Sequence, residues 1–163
     1  MKHDNISPTI ESGADEERGP AHRELLARAL RLLARREYSR FELGRKLARY
    51  AHSAQVLNQV LAELEARRYL SEERFAEGLV RRQAAKYGDA FIRQSLKQHR
   101  LPEALVEQAS RNLEQSEETR ARALWERRFG GVSSDPKERL RQMRFLAERG
   151  FSHDLIRRVV REN

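Results

Sequence analysis

Residues 47–60, LARYAHSAQVLNQV, contain the pattern that decides the fold of this chain. The first leucine is followed at fixed offsets by the apolar pair Val56–Leu57 and by Val60. Apolar residues occupy the same offsets in residues 96–109, LKQHRLPEALVEQA, and in residues 146–159, LAERGFSHDLIRRV. The three stretches begin 49 and 50 residues apart. A fixed period in this range indicates one supersecondary unit used in tandem, and such arrays bind along extended partners.

Outside these stretches the apolar residues keep helical spacing. An apolar stripe occupies residues 25–33, and helix-start and helix-stop residues separate the later stripes; Ser116, for example, is predicted to cap the seventh helix. We find no sustained alternation of the kind that a half-buried strand requires. We therefore predict an all-α fold, with nine short helices in a tandem array of three three-helix repeats forming an elongated molecule. The predicted domains are a disordered acidic tail at 1–21 and repeats at 22–70, 71–115 and 116–163.

The composition favours thin helical units that carry a surplus of positive charge. The 163-residue chain is 36% charged and only 39% apolar, which argues against one thick core. Residues 1–21 hold five acidic and two basic residues, whereas residues 22–163 hold 31 basic and 20 acidic residues, net +11. A surplus of this size favours a polyanionic partner or an acidic protein surface.

The sequence lacks the short motifs of the common catalytic classes. It has no Gly-rich phosphate-binding loop, no nucleophile elbow, no His-Glu-x-x-His zinc motif and no cysteine. We therefore predict no catalytic residues, no cofactor and no metal ligands, and we expect a protein that is not an enzyme. No apolar stretch approaches the ~18 residues of a membrane helix. The lack of a secretory leader and of cysteine fits a cytoplasmic location.

Basic residues are concentrated in the two outer repeats. The net charges of the three predicted repeats are +6, +1 and +4 in chain order. Most of these residues are arginines, whose guanidinium groups can make paired hydrogen bonds to a phosphate or a carboxylate. We predict that one basic cluster in each repeat contacts the partner or DNA. The clusters are Arg31, Arg35 and Arg36 in the first repeat, Arg81, Arg82 and Lys86 in the second, and Arg127 and Arg128 in the third.

The aromatic residues give little support for base stacking. Phe75, Phe91, Phe129 and Trp125 fall at or beside apolar helix positions. A base-stacking platform needs exposed rings, so we predict that these four residues belong to the core.

Three segments, in chain order, resemble signatures of the RecX family of recombination regulators. Residues 36–43, REYSRFEL, resemble the signature of the first repeat of that family, and residues 69–76, YLSEERFA, resemble that of the second. Residues 149–152, RGFS, resemble its C-terminal signature. The resemblance covers residues 22–163.

This resemblance implies a curved array of three-helix units in a cytoplasmic bacterial protein that binds the RecA filament on single-stranded DNA. It implies a modulator that generally inhibits the ATP hydrolysis, strand exchange and co-protease activity of RecA, and that is not itself an enzyme. We expect a monomer that does not bind membranes. Two alternatives stay open: a helical-repeat protein that binds nucleic acid directly, and a structural protein with no role on DNA.

Overall fold

A computed structural model of the chain describes residues 18–111 and 113–161. The regular structure of these residues is entirely helical, and none of them belongs to a strand. The all-α prediction is therefore confirmed. The helices of the described residues are α1 (Pro20–Leu33), α2 (Arg40–Ala48), α3 (Ala54–Ala66), α4 (Glu72–Ala84), α5 (Asp89–Gln98), α6 (Glu103–Ser110), α7 (Leu113–Phe129), α8 (Pro136–Ala147) and α9 (His153–Arg161).

The helices divide into two compact units. The first unit comprises the described residues up to Arg36 together with Glu42–Leu70, and in it α1 packs against α3. The second unit comprises Glu37–Phe41 and the described residues from Ser71 onward. In the second unit α4, α5 and α6 pack on one another, α7, α8 and α9 do the same, and α5 also contacts α7.

The leucines that begin the three repeated stretches are core residues. Leu47, Leu96 and Leu146 have no exposed surface, and the same holds for Val60 and Val159 thirteen residues after the first and third of them. The burial follows from the spacing, because residues three and four apart lie on one face of a helix and that face packs on neighbouring helices. Helices α4–α6 and helices α7–α9 each enclose a hydrophobic cluster of their own.

Two predicted helix boundaries differ from the structure. Most of the predicted tail at 1–21 lies outside the described residues, but α1 already includes its last two residues, because Pro20 suits the first turn of a helix. The predicted cap at Ser116 is wrong, since α7 begins at Leu113. The Ser116 hydroxyl lies inside this helix and donates to the Leu113 carbonyl at 3.1 Å, a local bond that competes with capping.

A buried carboxylate joins α1 to α3 within the first unit. Glu63 accepts a hydrogen bond from His22 Nε2 at 2.7 Å. It also forms ion pairs with Arg18 at 2.5 Å and with Arg67 at 3.0 Å. Burial by itself would raise the pKa of Glu63. The His22 hydrogen bond and the positive charges of Arg18 and Arg67 outweigh burial, so the pKa of Glu63 lies below its ordinary value. The ionised carboxylate therefore stabilises the folded unit.

We expect Glu63→Gln to lower the free energy of unfolding at neutral pH by about 1–3 kcal/mol, because it leaves buried donors without a charged acceptor. A carboxyl group whose folded pKa is lowered contributes stability above its unfolded pKa, and this contribution is lost as the pH falls through the folded value. The difference between Glu63→Gln and the wild type should therefore shrink below about pH 4. Urea denaturation across this pH range measures it, with the exposed Glu65→Gln as the control on the same helix. A difference that stayed constant down to low pH would contradict the assignment.

Candidate functional site

The basic cluster predicted in the first repeat lies at and after the end of α1 in the first unit. Arg31, Arg35 and Arg36 are all exposed. Arg36 pairs with Glu42 through two hydrogen bonds, at 2.5 and 3.1 Å, so part of its charge is compensated within the unit. The side chains of this cluster sit on an exposed helix end.

The structure brings Lys86 of the second predicted cluster together with Arg127 and Arg128 of the third. These residues belong to one pocket of about 370 Å³ in the second unit, which we call the basic pocket. Arg81 and Arg82 of the second cluster lie on the exposed surface of α4 and do not line it. The residues that line the basic pocket are Lys86, Tyr87, Leu124, Arg127, Arg128, Phe145 and Arg149.

Two glycines bring the two sides of the basic pocket together. The Gly88 N–H donates to the Arg149 carbonyl at 2.7 Å. A Cβ atom on Gly88 would lie 2.3 Å from the Gly150 carbonyl oxygen, and Gly150 itself has a φ of +81°. Only glycine allows so close an approach of two backbones and adopts this positive φ without strain. The contact places Lys86 and Tyr87 beside Arg149.

A half-buried arginine stabilises the same side of the pocket. Arg120, on α7, donates to the carbonyl oxygens of Ala84 and Tyr87, both at 2.8 Å, and to the Asp89 carboxylate at 2.6 Å. These bonds satisfy the carbonyl of Ala84, the last residue of α4, and the carbonyl of Tyr87 in the turn that follows. The Asp89 N–H donates in turn to Glu117 at 3.0 Å. The network thus sets the position of the segment that carries Lys86.

Arg149 is held in place on the floor of the basic pocket. Its guanidinium carbon lies 3.7 Å from the centre of the Phe145 ring, and its Nη1 donates to the Phe145 carbonyl at 3.0 Å. The Phe129 ring packs edge-on against the Phe145 ring, with 5.2 Å between the two ring centroids. Stacking on an aromatic ring leaves the remaining N–H groups of a guanidinium able to donate. Arg149 is therefore oriented before any ligand binds.

The electrostatic environment of the basic pocket is positive and uncompensated. No acidic residue lines it. Within the described residues, none of its four cations, Lys86, Arg127, Arg128 and Arg149, forms an ion pair. Many arginines elsewhere in the second unit do, for example Arg93 with Glu107 at 2.7 Å. Four cations around one concavity favour an anionic ligand.

Four lining residues of the basic pocket were not predicted as site residues, and one aromatic residue was wrongly predicted to be buried. The four lining residues are Tyr87, Leu124, Phe145 and Arg149. A usable signal was present for Arg149, since it begins the segment at 149–152 that resembles the C-terminal signature of the family. Phe75 and Trp125 are buried as predicted and Phe129 is half-buried, but Phe91 is 37% exposed and stacks on Tyr87 with 4.0 Å between the ring centroids.

The described residues contain no group of three or more His, Asp or Glu side chains placed to hold a metal ion. In the same part of the chain, no helix is long and apolar enough to cross a membrane.

The fold and the basic pocket define a helical-repeat protein that carries four basic side chains around one concavity. Family models of RecX match the chain in three places: the first three-helix domain at residues 26–64, the second at 71–109 and the third at 116–160. The chain belongs to the RecX family of regulatory proteins. The prediction of this family is confirmed.

Relatives and solved structures agree with this assignment. The regulatory protein RecX of Herminiimonas arsenicoxydans is 49% identical over 138 residues, which cover 84% of this chain and 91% of the relative. That of Ralstonia pickettii (strain 12J) is 45% identical over 136 residues, or 83% and 86% of the two chains. The crystal structure of RecX from Lactobacillus salivarius has the same fold, with a TM-score of 0.72 at 18% identity, and the match covers 86% of this chain and 95% of that one.

Proposed function

We propose that this regulatory protein binds the RecA filament on single-stranded DNA and inhibits its ATP hydrolysis, strand exchange and co-protease activity. Membership of the RecX family is the observation that carries the proposal. The uncompensated basic pocket supports it, because a nucleoprotein filament presents a dense array of phosphates and acidic side chains. We further propose that the protein acts as a cytoplasmic monomer without catalytic activity of its own, and that its repeats span 22–70, 71–115 and 116–163.

We expect this protein to reduce the DNA-dependent ATP hydrolysis of RecA from the same organism by more than half at an equimolar ratio. The physical reason is that a ligand which binds along the filament hinders its growth and turnover. A coupled ATPase assay on single-stranded DNA measures the effect, with electron microscopy of filament length as a second readout. Unchanged hydrolysis together with unchanged filament length would overturn the proposal.

The second candidate function is direct binding to nucleic acid, with any effect on RecA arising from competition for the strand. The four cations of the basic pocket, which form no ion pair within the part of the chain that the structure describes, favour it. Direct binding should weaken steeply as salt rises, because phosphate contacts release counterions. In this case a large excess of DNA should abolish the inhibition of RecA, whereas filament binding should leave the inhibition in place. If neither DNA nor RecA is bound, the chain is a structural protein instead.

A further inference from the structure

The basic pocket combines a charged surface with an apolar surface. Lys86, Arg127 and Arg128 are exposed at its rim, and Arg149 is half-buried at its floor. Beside them, Leu124 and the half-buried rings of Tyr87 and Phe145 form an apolar wall. A ligand that fits this pocket carries negative charge on one side and a flat apolar body on the other.

We propose that the basic pocket binds one nucleotide unit of single-stranded DNA, with a backbone phosphate among the cations and the adjoining nucleoside against the apolar wall. The inference deepens the proposed function, on which it rests for the presence of a DNA strand at the binding surface. It names the ligand and assigns the site to Lys86, Arg127, Arg128 and Arg149.

The geometry of Arg149 favours a phosphate. Its guanidinium is oriented by the Phe145 ring at 3.7 Å and by the Phe145 carbonyl at 3.0 Å. A pre-oriented guanidinium loses little conformational freedom on binding, and its planar set of donors matches the oxygens of a phosphate. The three rim cations lie on flexible side chains that can close over the same anion.

The size and the wall of the pocket favour a nucleotide over an acidic peptide side chain. A volume of about 370 Å³ lies within the range of small-molecule sites. A carboxylate on a short side chain would reach the cations but would leave the apolar wall uncovered. A single strand suits the wall better than a duplex does, because its bases are available for contact with protein rings.

We expect Arg127→Gln/Arg128→Gln to weaken binding of a fluorescein-labelled oligothymidylate by roughly tenfold at moderate salt, because two of the four cations around the phosphate are lost. The slope of log affinity against log salt should fall by at most about 0.7, the contribution of one single-strand phosphate. Fluorescence anisotropy of the full chain measures both quantities. Circular dichroism checks that the variant is folded, and both substitutions are at exposed positions.

The matched control is Arg141→Gln/Arg157→Gln, which removes the same charge from the same unit outside the basic pocket. Both control arginines are exposed and pair with neighbouring carboxylates, Arg141 with Glu138 and Arg157 with Asp154. We expect this control to bind oligothymidylate within a few-fold of the wild type. Equal losses of affinity in the two double variants would overturn the assignment of the site.

Three competitor arms distinguish the sources of the anion. Unlabelled oligothymidylate should displace the probe at micromolar concentration, whereas thymidine monophosphate should do so only at far higher concentration and a glutamate oligopeptide should not displace it. Displacement by the mononucleotide as efficiently as by the strand would make a free nucleotide the ligand. Displacement by the glutamate oligopeptide as efficiently as by the strand would make an acidic peptide the ligand. Either outcome overturns the inference.

These assays contain no RecA, so the two proposals can fail separately. If the pocket variant binds DNA normally while the wild type still inhibits RecA hydrolysis, the nucleotide site is wrong and the proposed function stands. If the pocket variant loses DNA binding but the wild type leaves RecA hydrolysis unchanged, the proposed function is wrong and the nucleotide site stands.

Discussion

Arg120→Met is expected to lower the free energy of unfolding by about 3–5 kcal/mol, the usual effect of removing one partner of a buried ion pair. Asp89 is only 8% exposed, and the Arg120 guanidinium donates to it at 2.6 Å. The substitution would leave this carboxylate without its cation and would also remove the donors to the Ala84 and Tyr87 carbonyls. Urea denaturation followed by circular dichroism measures the loss.

The control for this prediction is Arg122→Met on the same helix. Arg122 contacts Glu118 at 3.5 Å near the surface, where an ion pair contributes at most about 1 kcal/mol. Adding Asp89→Asn to Arg120→Met should restore part of the stability, because it removes the uncompensated charge. If Arg120→Met and Arg122→Met cost the same, Arg120 does not have the structural role that its contacts indicate.

Gly88→Ala is expected to cost about 3 kcal/mol, at the upper end of the usual range for overpacking. The added Cβ would lie 2.3 Å from the Gly150 carbonyl oxygen and 2.6 Å from the Phe151 nitrogen. Both atoms belong to the backbone, so neither can rotate away as the end of a side chain could. The φ of Gly88 is −77°, an ordinary value, and the cost is therefore steric rather than conformational.

The matched control is Gly78→Ala, in the middle of α4. Its added Cβ would meet only the Arg82 Nη1 atom, at 3.2 Å, which is the far end of a flexible side chain. Alanine is the better helix former, so this control should stabilise the protein by about 0.5–1 kcal/mol. Thermal denaturation of the two variants should give shifts of opposite sign. A small or stabilising effect of Gly88→Ala would mean that the two backbones do not approach as described.

The separation between Gly88 and Gly150 also sets the geometry of the basic pocket. Gly88→Ala pushes the segment that carries Lys86 away from Arg149, whose carbonyl accepts the Gly88 N–H. The folded fraction of this variant should therefore bind oligothymidylate more weakly than Gly78→Ala does. This readout separates a local change at the pocket from a general loss of stability.

Much of the fold could be predicted because the relevant signals are local. The spacing of apolar residues around Leu47, Leu96 and Leu146 reports which side of each helix is buried, and this depends only on the geometry of the helix itself. The predicted helix cap at Ser116 was wrong because the local sequence is ambiguous there. A serine hydroxyl can cap a helix or bond within it, and neighbouring packing rather than local sequence decides between the two.

The site was only partly predictable, because charge density does not report which charges come together. Lys86 and the pair Arg127–Arg128 appeared in the sequence as members of two clusters some forty residues apart. The structure places them around one pocket, and it leaves Arg81 and Arg82 outside. Arg149 stands alone among apolar and acidic neighbours in the sequence, so no density of charge marked it.

Composition and the spacing of apolar residues along each helix are enough to establish the helical repeat and the surplus of positive charge, and the three signature segments indicate the family. That Lys86, Arg127, Arg128 and Arg149 line a single pocket depends instead on the tertiary fold. The physical reason is the close approach of Gly88 to Gly150, a contact between residues far apart in the chain that the absence of two side chains makes possible.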